Sequence, residues 1–169
     1  MQGGRFVRIL AYAVFIWLFC LASVLLHELG HALGCSLFAR GCGWRVYAGS
    51  GPEMIGTKRF SIRPIAFGGY FFPERELDTR KQRIAMLIGG PLTSLILTVL
   101  FGVLRFYFYG FQRPWSDTTR VMFYVSNFLT LFNLFQFLFT AIPIRSYRLI
   151  CRGQESDGMK IVKELKREK

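Results

Sequence analysis

Residues 9–31 read ILAYAVFIWLFCLASVLLHELGH, an uncharged apolar run that ends in a short pattern of histidine and glutamate. The run from Ile9 to Leu26 has eighteen residues, close to the roughly 20 that a helix needs to cross the hydrocarbon of a bilayer. At 1.5 Å per residue, His27 lies roughly 27 Å along this helix, within a core about 30 Å thick. The stretch therefore predicts a membrane-spanning helix with ionisable side chains near one end.

The pattern HELGH at residues 27–31 places two imidazoles four positions apart, on one face of a helix. This spacing suits two neighbouring ligands on one zinc ion. Glu28 lies on the adjacent face, where its carboxylate can take a proton from a water activated by the metal without binding the metal itself. The pattern therefore predicts His27 and His31 as zinc ligands and Glu28 as the catalytic base.

Two other interpretations of this short pattern were weighed. The first is a solvated charged helix face, and the position of the pattern argues against it. His27 and His31 are the only histidines in the chain, and Glu28, the only carboxylate before Glu53, follows directly on the apolar run. Ionisable groups at such a depth are costly and mark functional sites. The second alternative is a buried cluster in which histidine and glutamate only pack and form hydrogen bonds.

The composition places the whole chain in the membrane class. Of its 169 residues, 52% are hydrophobic and 17% aromatic, and the mean hydropathy is +0.33. Two further apolar runs, at residues 84–104 and 121–144, are also long enough to cross a bilayer. We therefore predict an all-α membrane protein with a three-transmembrane-helix core, and one membrane-embedded domain over residues 1–169. The helices are expected at about residues 7–38, 84–108 and 121–143.

The segments outside the predicted helices are a loop and a tail. Residues 60–72 read FSIRPIAFGGYFF, in which aromatic and aliphatic residues surround a proline and a glycine pair. This pattern predicts a short β-hairpin between the first two helices that dips into the membrane and faces the helix bundle. The basic tail at residues 145–169 carries Ile161 and Leu165 four positions apart, which indicates a short interfacial helix.

The formal net charge of +12 is unevenly distributed along the chain. Two Lys or Arg residues precede the first span, nine lie between spans one and two, three lie between spans two and three, and eight follow the third. The positive-inside rule then predicts an outer N-terminus and a cytoplasmic C-terminus, in an integral protein of the plasma membrane. The basic excess faces the anionic leaflet, so the lipid bilayer rather than nucleic acid is the expected partner.

Two histidines leave a catalytic zinc site short of one protein ligand. The predicted topology excludes Asp117, which lies on the outer side. The remaining candidates are carboxylates on the cytoplasmic side: Glu53, Glu74, Glu76, Asp78, Glu155 and Asp157. Spacing alone does not choose among them.

Several segments together resemble the site-2 protease family of intramembrane zinc metalloproteases. HELGHALG at residues 27–34 is similar to the first motif of that family, and RPIAFGGYF at residues 63–71 to its hairpin around PxGGY. IGGPLTS at residues 88–94 is similar to the segment that opens its second core helix. An Asp-Gly pair at residues 157–158, after Ala-Ile-Pro at residues 141–143, resembles the third motif. The resemblance implies a three-helix core and makes Asp157 the third zinc ligand.

The chain departs from the family pattern at three points. Ser94 and Thr140 stand where the family usually has asparagine, and the interval between Pro143 and Asp157 is long. If Asp157 is not a ligand, the Asp-Gly pair is an ordinary turn that caps the tail helix.

The implied reaction is hydrolysis of a peptide bond within or next to a hydrophobic segment of a membrane-bound protein or precursor peptide. One alternative is a proteolytically silent scaffold of the same fold that binds a partner helix. An intact HELGH argues against it, because a binding module has no use for Glu28 between two histidines. A zinc transporter is disfavoured because the sequence has no inverted repeat. Neither the substrate nor the oligomeric state follows from the sequence.

Overall fold

The computed structural model describes residues 3–110, 116–145 and 155–167. The helices are α1 (Gly3–Phe38), α2 (Arg80–Gly110), α3 (Asp117–Ala141) and α4 (Asp157–Lys166). The strands are β1 (Trp44–Ser50), β2 (Ile55–Gly56), β3 (Phe60–Ile62) and β4 (Ile65–Pro73). Much of the predicted tail, at residues 146–154 and 168–169, lies outside the described residues.

The first three helices confirm the three long apolar segments expected from the sequence. Segments Ile9–Phe38, Arg80–Gly110 and Asp117–Ala141 are each long and apolar enough to cross a membrane. Helix α2 begins earlier than predicted because Thr79 and Gln82 form a reciprocal cap, in which each backbone N–H donates to the side chain of the other.

Helices α1 and α2 pack closely where their glycine residues meet. A Cβ atom on Gly30 would collide with the carbonyl oxygen of Gly89, and a Cβ atom on Gly89 would collide with that of Gly30. One turn further along α1, Gly34 meets the carbonyl oxygen of Ala85 in the same way. These contacts bring the two backbones together beside the histidines of α1, as small residues do in membrane helix pairs.

The loop between α1 and α2 forms a four-stranded sheet in the order β2-β3-β1-β4, which is larger than the single hairpin predicted for this loop. Strand β1 pairs in parallel with β3 and antiparallel with β4, while β2 pairs antiparallel with β3. The β structure predicted at residues 60–72 is confirmed, but the hairpin pairing is wrong. Its two halves are strands β3 and β4, but β1 lies between them.

The connection between β3 and β4 explains why they do not pair. Pro64 restricts Arg63 to an extended conformation, which carries the chain onward instead of turning it back. The connection then crosses over β1 at Gly49, which has a φ of +84°. A Cβ atom there would lie 2.5 Å from the carbonyl oxygen of Arg63 and 2.7 Å from that of Ile65. Only glycine accommodates both the backbone angle and the crossing.

Helix α4 is the observed form of the predicted tail helix, and both of its ends are fixed. At its start, Ser156 is the N-cap, and its hydroxyl donates to the carbonyl oxygen of Ile142 just after α3. At its end, Arg80 of α2 donates to the carbonyl oxygen of Leu165, and Arg83 pairs with Glu164 at 2.9 Å. Helix α4 is thereby held against the first turn of α2.

Candidate metal centre

The two histidines and the glutamate of the HELGH pattern are buried on the side of α1 that faces the other elements. His27 is 2% exposed, and Glu28 and His31 are each 5% exposed. The two imidazole rings lie edge to face with centroids 5.1 Å apart. The helical spacing thus brings the imidazoles together in the interior, as the sequence predicts.

Asp157, the first residue of α4, completes the group from the opposite end of the chain. Its Oδ2 lies 3.3 Å from Nε2 of His31 and 3.8 Å from Nε2 of His27. Tetrahedral ligands at zinc distances of about 2.0–2.1 Å are about 3.3 Å apart. The ligand atoms of all three residues lie within 4.8 Å of one another, so the three side chains could hold one metal ion.

Each histidine is oriented by a partner on α2. Nδ1 of His31 lies 2.7 Å from the backbone carbonyl oxygen of Met86. Because a carbonyl only accepts hydrogen bonds, Nδ1 of His31 carries the proton, and Nε2 keeps its lone pair for a metal. Nδ1 of His27 lies 2.8 Å from the hydroxyl of Ser94, which is fully buried. These contacts aim Nε2 of each ring at Asp157.

The second oxygen of Asp157 is also engaged. Its Oδ1 lies 3.1 Å from the ammonium of Lys160, one turn along α4. Burial raises the pKa of the Asp157 carboxyl, but the two histidine side chains and the ammonium of Lys160 beside it lower that pKa well below its usual value. Asp157 is therefore a carboxylate at neutral pH, with Oδ2 directed at the histidines.

The space between the ligand atoms depends on a glycine of α2. A Cβ atom on Gly90 would collide with Nε2 of His31 and would lie 2.8 Å from Nε2 of His27. Any side chain at this position would therefore occupy the volume in front of both donor atoms. Both the donor set and the free volume fit a metal ion.

Glu28 lies beside these groups but outside the cluster of possible ligands. Its carboxylate faces strand β4, where a Cβ atom on Gly69 would collide with it. Within the described chain, no hydrogen bond holds this carboxylate to another residue. Glu28 is thus buried beside the metal-ligand group and free to act as a proton acceptor.

A cavity of about 230 Å³ opens in front of these residues. Its walls come from α1, β4, α2, α3 and the start of α4, and most of the lining side chains are apolar. The metal-ligand group and Glu28 both line this cavity. A chain entering it would meet the predicted catalytic groups in largely apolar surroundings.

The four residues predicted for the site, His27, Glu28, His31 and Asp157, all line one cavity. Among the described residues, the other carboxylates considered as a third ligand lie outside the metal-ligand group: Glu53, Glu74, Glu76, Asp78 and Glu155. Glu53 accepts a hydrogen bond from Ser61, and Glu155 lines the cavity but pairs with Lys163. The N-cap of α4 is Ser156, so the alternative role of Asp157 as a helix cap is wrong.

Three features of the site were not predicted from the sequence. Ser94 and the Met86 carbonyl orient the histidines, and Gly90 clears the space in front of them. Gly90 and Ser94 are four positions apart and therefore share one face of α2. That spacing could have indicated that this face of α2 meets the HELGH pattern.

A comparison with protein families agrees with this arrangement. The family model described as peptidase family M50 matches residues 14–146. The matched stretch contains HELGH, the whole sheet and the glycine pair of α2, and it ends before Asp157. The search of curated proteins finds no match.

Proposed function

Because the chain belongs to peptidase family M50, we propose that it is an intramembrane zinc metalloprotease. It hydrolyses a peptide bond within or next to a hydrophobic segment of a membrane-bound protein or precursor peptide. One observation carries this proposal: His27, His31 and Asp157 converge beside Glu28 in a cavity flanked by three helices long enough to cross a membrane. A proteolytically silent scaffold would have no use for this combination.

In this proposal His27, His31 and Asp157 hold the zinc ion. Two imidazoles and one carboxylate are a ligand set of catalytic zinc sites, in which the fourth position stays open. A zinc ion held there supplies Lewis acidity and activates water at neutral pH. The contacts of Ser94 and the Met86 carbonyl fix the orientation of the two rings. Loss of such a contact typically lowers metal affinity about 10–100-fold.

Glu28 moves the proton in the proposed reaction. Its carboxylate accepts the proton of the attacking water as the new C–O bond forms, and it returns that proton to the nitrogen as the C–N bond breaks. The apolar surroundings of Glu28 favour this role because a carboxylate with few hydrogen bonds accepts a proton more readily.

Strand β4 supplies the proposed binding edge for the substrate. It lies at the end of the sheet order and pairs only with β1 among the described strands, so its other edge is available to a further strand. Residues 66–71 of β4 line the cavity next to Glu28. An unwound substrate that pairs with β4 satisfies its backbone groups, which is necessary if β4 lies at membrane depth.

The metal site is tested by zinc content. We expect the purified protein to hold about one zinc ion per chain, and the double variant His27→Ala/His31→Ala to hold none, because both imidazole ligands are removed. Mass spectrometry of the metal, with Glu53→Gln as a variant outside the site, measures this. Full zinc occupancy in the double variant, or hydrolysis of membrane peptides that survives removal of the metal, would contradict the proposal.

We also propose that the protein lies in the plasma membrane with its N-terminus outside and its C-terminus in the cytoplasm. Topology reporters fused after Lys169 and within residues 40–83 should then report the cytoplasm, and a reporter next to Asp117 the outer side, because Lys and Arg are retained on the cytoplasmic side. A reporter after Lys169 that reads the outer side contradicts this orientation.

A further inference from the structure

One face of α3 forms a wall of the cavity and is mainly aromatic. Its lining residues follow helical spacing: Phe132, Phe135, Gln136, Phe139 and Thr140. The rings of Phe135 and Phe139 contact each other, with centroids 4.1 Å apart. Gln136 lies in the middle of this aromatic face, where an amide side chain has no packing advantage.

Of the two polar side chains on this face, only that of Gln136 makes no hydrogen bond to a described residue. The hydroxyl of Thr140 donates to the backbone carbonyl oxygens of Gln136 and Phe137, at 2.9 and 3.2 Å. By contrast, Oε1 of Gln136 is buried and has no hydrogen-bond partner among the described residues. A buried amide oxygen without a partner is unfavourable, and because Gln136 lines the cavity, a rotation of its amide would bring this oxygen to a partner bound there.

The neighbouring amide of Asn133 also has a buried oxygen with no hydrogen-bond partner among the described residues, but its nitrogen is engaged and it does not line the cavity. Asn133, one turn before Phe137, is fully buried and donates to Ser23 of α1 and to the carbonyl oxygen of Leu129. It therefore joins α3 to α1, and it is not among the residues that line the cavity. Gln136 has no such contact to another helix.

The cavity lies between α3 and β4, and residues of both elements line it. No described residue of α3 has its Cα atom within 8 Å of a Cα atom of β4. A strand paired with β4 lies about 4.8 Å from it and turns its other edge away from the sheet. That edge carries backbone N–H and C=O groups, and in apolar surroundings these also need partners.

We propose that Gln136 is a positioning residue that binds the backbone of the substrate strand on the edge opposite β4. The terminal amide has one donor end and one acceptor end, so it matches the N–H and C=O groups of one extended residue. The substrate is then held between a strand on one side and a single amide on the other. This inference rests on the proposed proteolytic function.

Two zinc-binding inhibitors distinguish binding to the metal from binding of a peptide backbone to Gln136. Acetohydroxamate reaches only the metal, whereas a trileucine hydroxamate also presents a peptide backbone. The comparison uses wild type and Gln136→Met, a substitution that keeps the length of the side chain and removes the amide. Dissociation constants are measured on the zinc-loaded protein in lipid nanodiscs.

We expect Gln136→Met to weaken binding of the trileucine hydroxamate about tenfold and to leave the affinity for acetohydroxamate unchanged, because only the peptide compound loses hydrogen bonds. Equal affinity of both proteins for the trileucine compound overturns the inference. Failure of acetohydroxamate to bind zinc-loaded wild type instead overturns the proposed metal centre, and the inference falls with it.

N-methylation of the peptide gives a second measurement that does not depend on how the variant folds. Successive N–H groups of a strand point to opposite edges, so methylating each amide in turn blocks either β4 or α3. At the amide that faces α3, methylation should weaken binding to wild type about tenfold and have no effect on Gln136→Met. If no amide on the edge away from β4 is sensitive in wild type, Gln136 does not bind the backbone.

Discussion

Replacing Glu28 with glutamine is expected to reduce proteolysis by at least about 100-fold while zinc content stays at the wild-type level. Glutamine has the size of glutamate and keeps the packing against Gly69, but it cannot accept the proton of the attacking water. Zinc is retained because Glu28 lies outside the metal-ligand group. This separation of metal binding from turnover distinguishes a catalytic base from a structural carboxylate.

The measurement compares new N-termini in membrane fractions of cells that express wild type or Glu28→Gln. Fragments that depend on Glu28 identify the substrates as well as the reaction. Glu53→Gln is the matched control, because this carboxylate accepts a hydrogen bond from Ser61 and does not line the cavity. Identical fragment sets from wild type and Glu28→Gln would favour the silent scaffold instead.

Asp157→Asn is expected to lower zinc affinity by more than about 100-fold, and activity with it. The substitution keeps the size of the side chain and leaves the Ser156 cap intact, so α4 should remain folded. It removes the negative charge that faces His27 and His31 in a buried site. Loss of one partner of a buried charged group costs about 3–5 kcal/mol, which corresponds to a loss of more than about 100-fold in zinc affinity.

Glu155→Gln, two residues earlier, is the control for this prediction. Its carboxylate pairs with Lys163, whose side chain is 59% exposed, and exposed ion pairs contribute about 0–1 kcal/mol. Zinc content is measured by competition with a chelator of known affinity. Wild-type affinity in Asp157→Asn would remove Asp157 from the ligand set.

The sequence predicts the helices of this protein better than its sheet. A helix that crosses a membrane requires about 20 apolar residues in a row, and this pattern can be recognised in the sequence alone. The sheet depends on contacts between distant segments instead. Strand β1 contains Arg45 and ends in three small residues, so its hydropathy pattern is weak. The crossing at Gly49 cannot be detected from hydropathy.

The residues of the site also differ in how far the sequence predicts them. His27, Glu28 and His31 follow from one helical spacing, whereas Asp157 lies far along the chain and could be named only through a family resemblance. The contact of Ser94 with His27 and the position of Gln136 on the cavity wall depend on how α2 and α3 pack against their neighbours. Local patterns therefore identify the chemistry, and only the packing identifies the residues that orient it.

The position of Asp157 on α4 also has a consequence for biosynthesis. During translation, at about 5–20 residues per second, α1 enters the membrane with His27 and His31 long before the ribosome reaches Asp157. Until then the nascent chain has two of its three proposed metal ligands, and Ser156 has not yet joined α4 to the end of α3. Under the proposed function, the chain would therefore emerge inactive and would not cut membrane proteins that are inserted beside it.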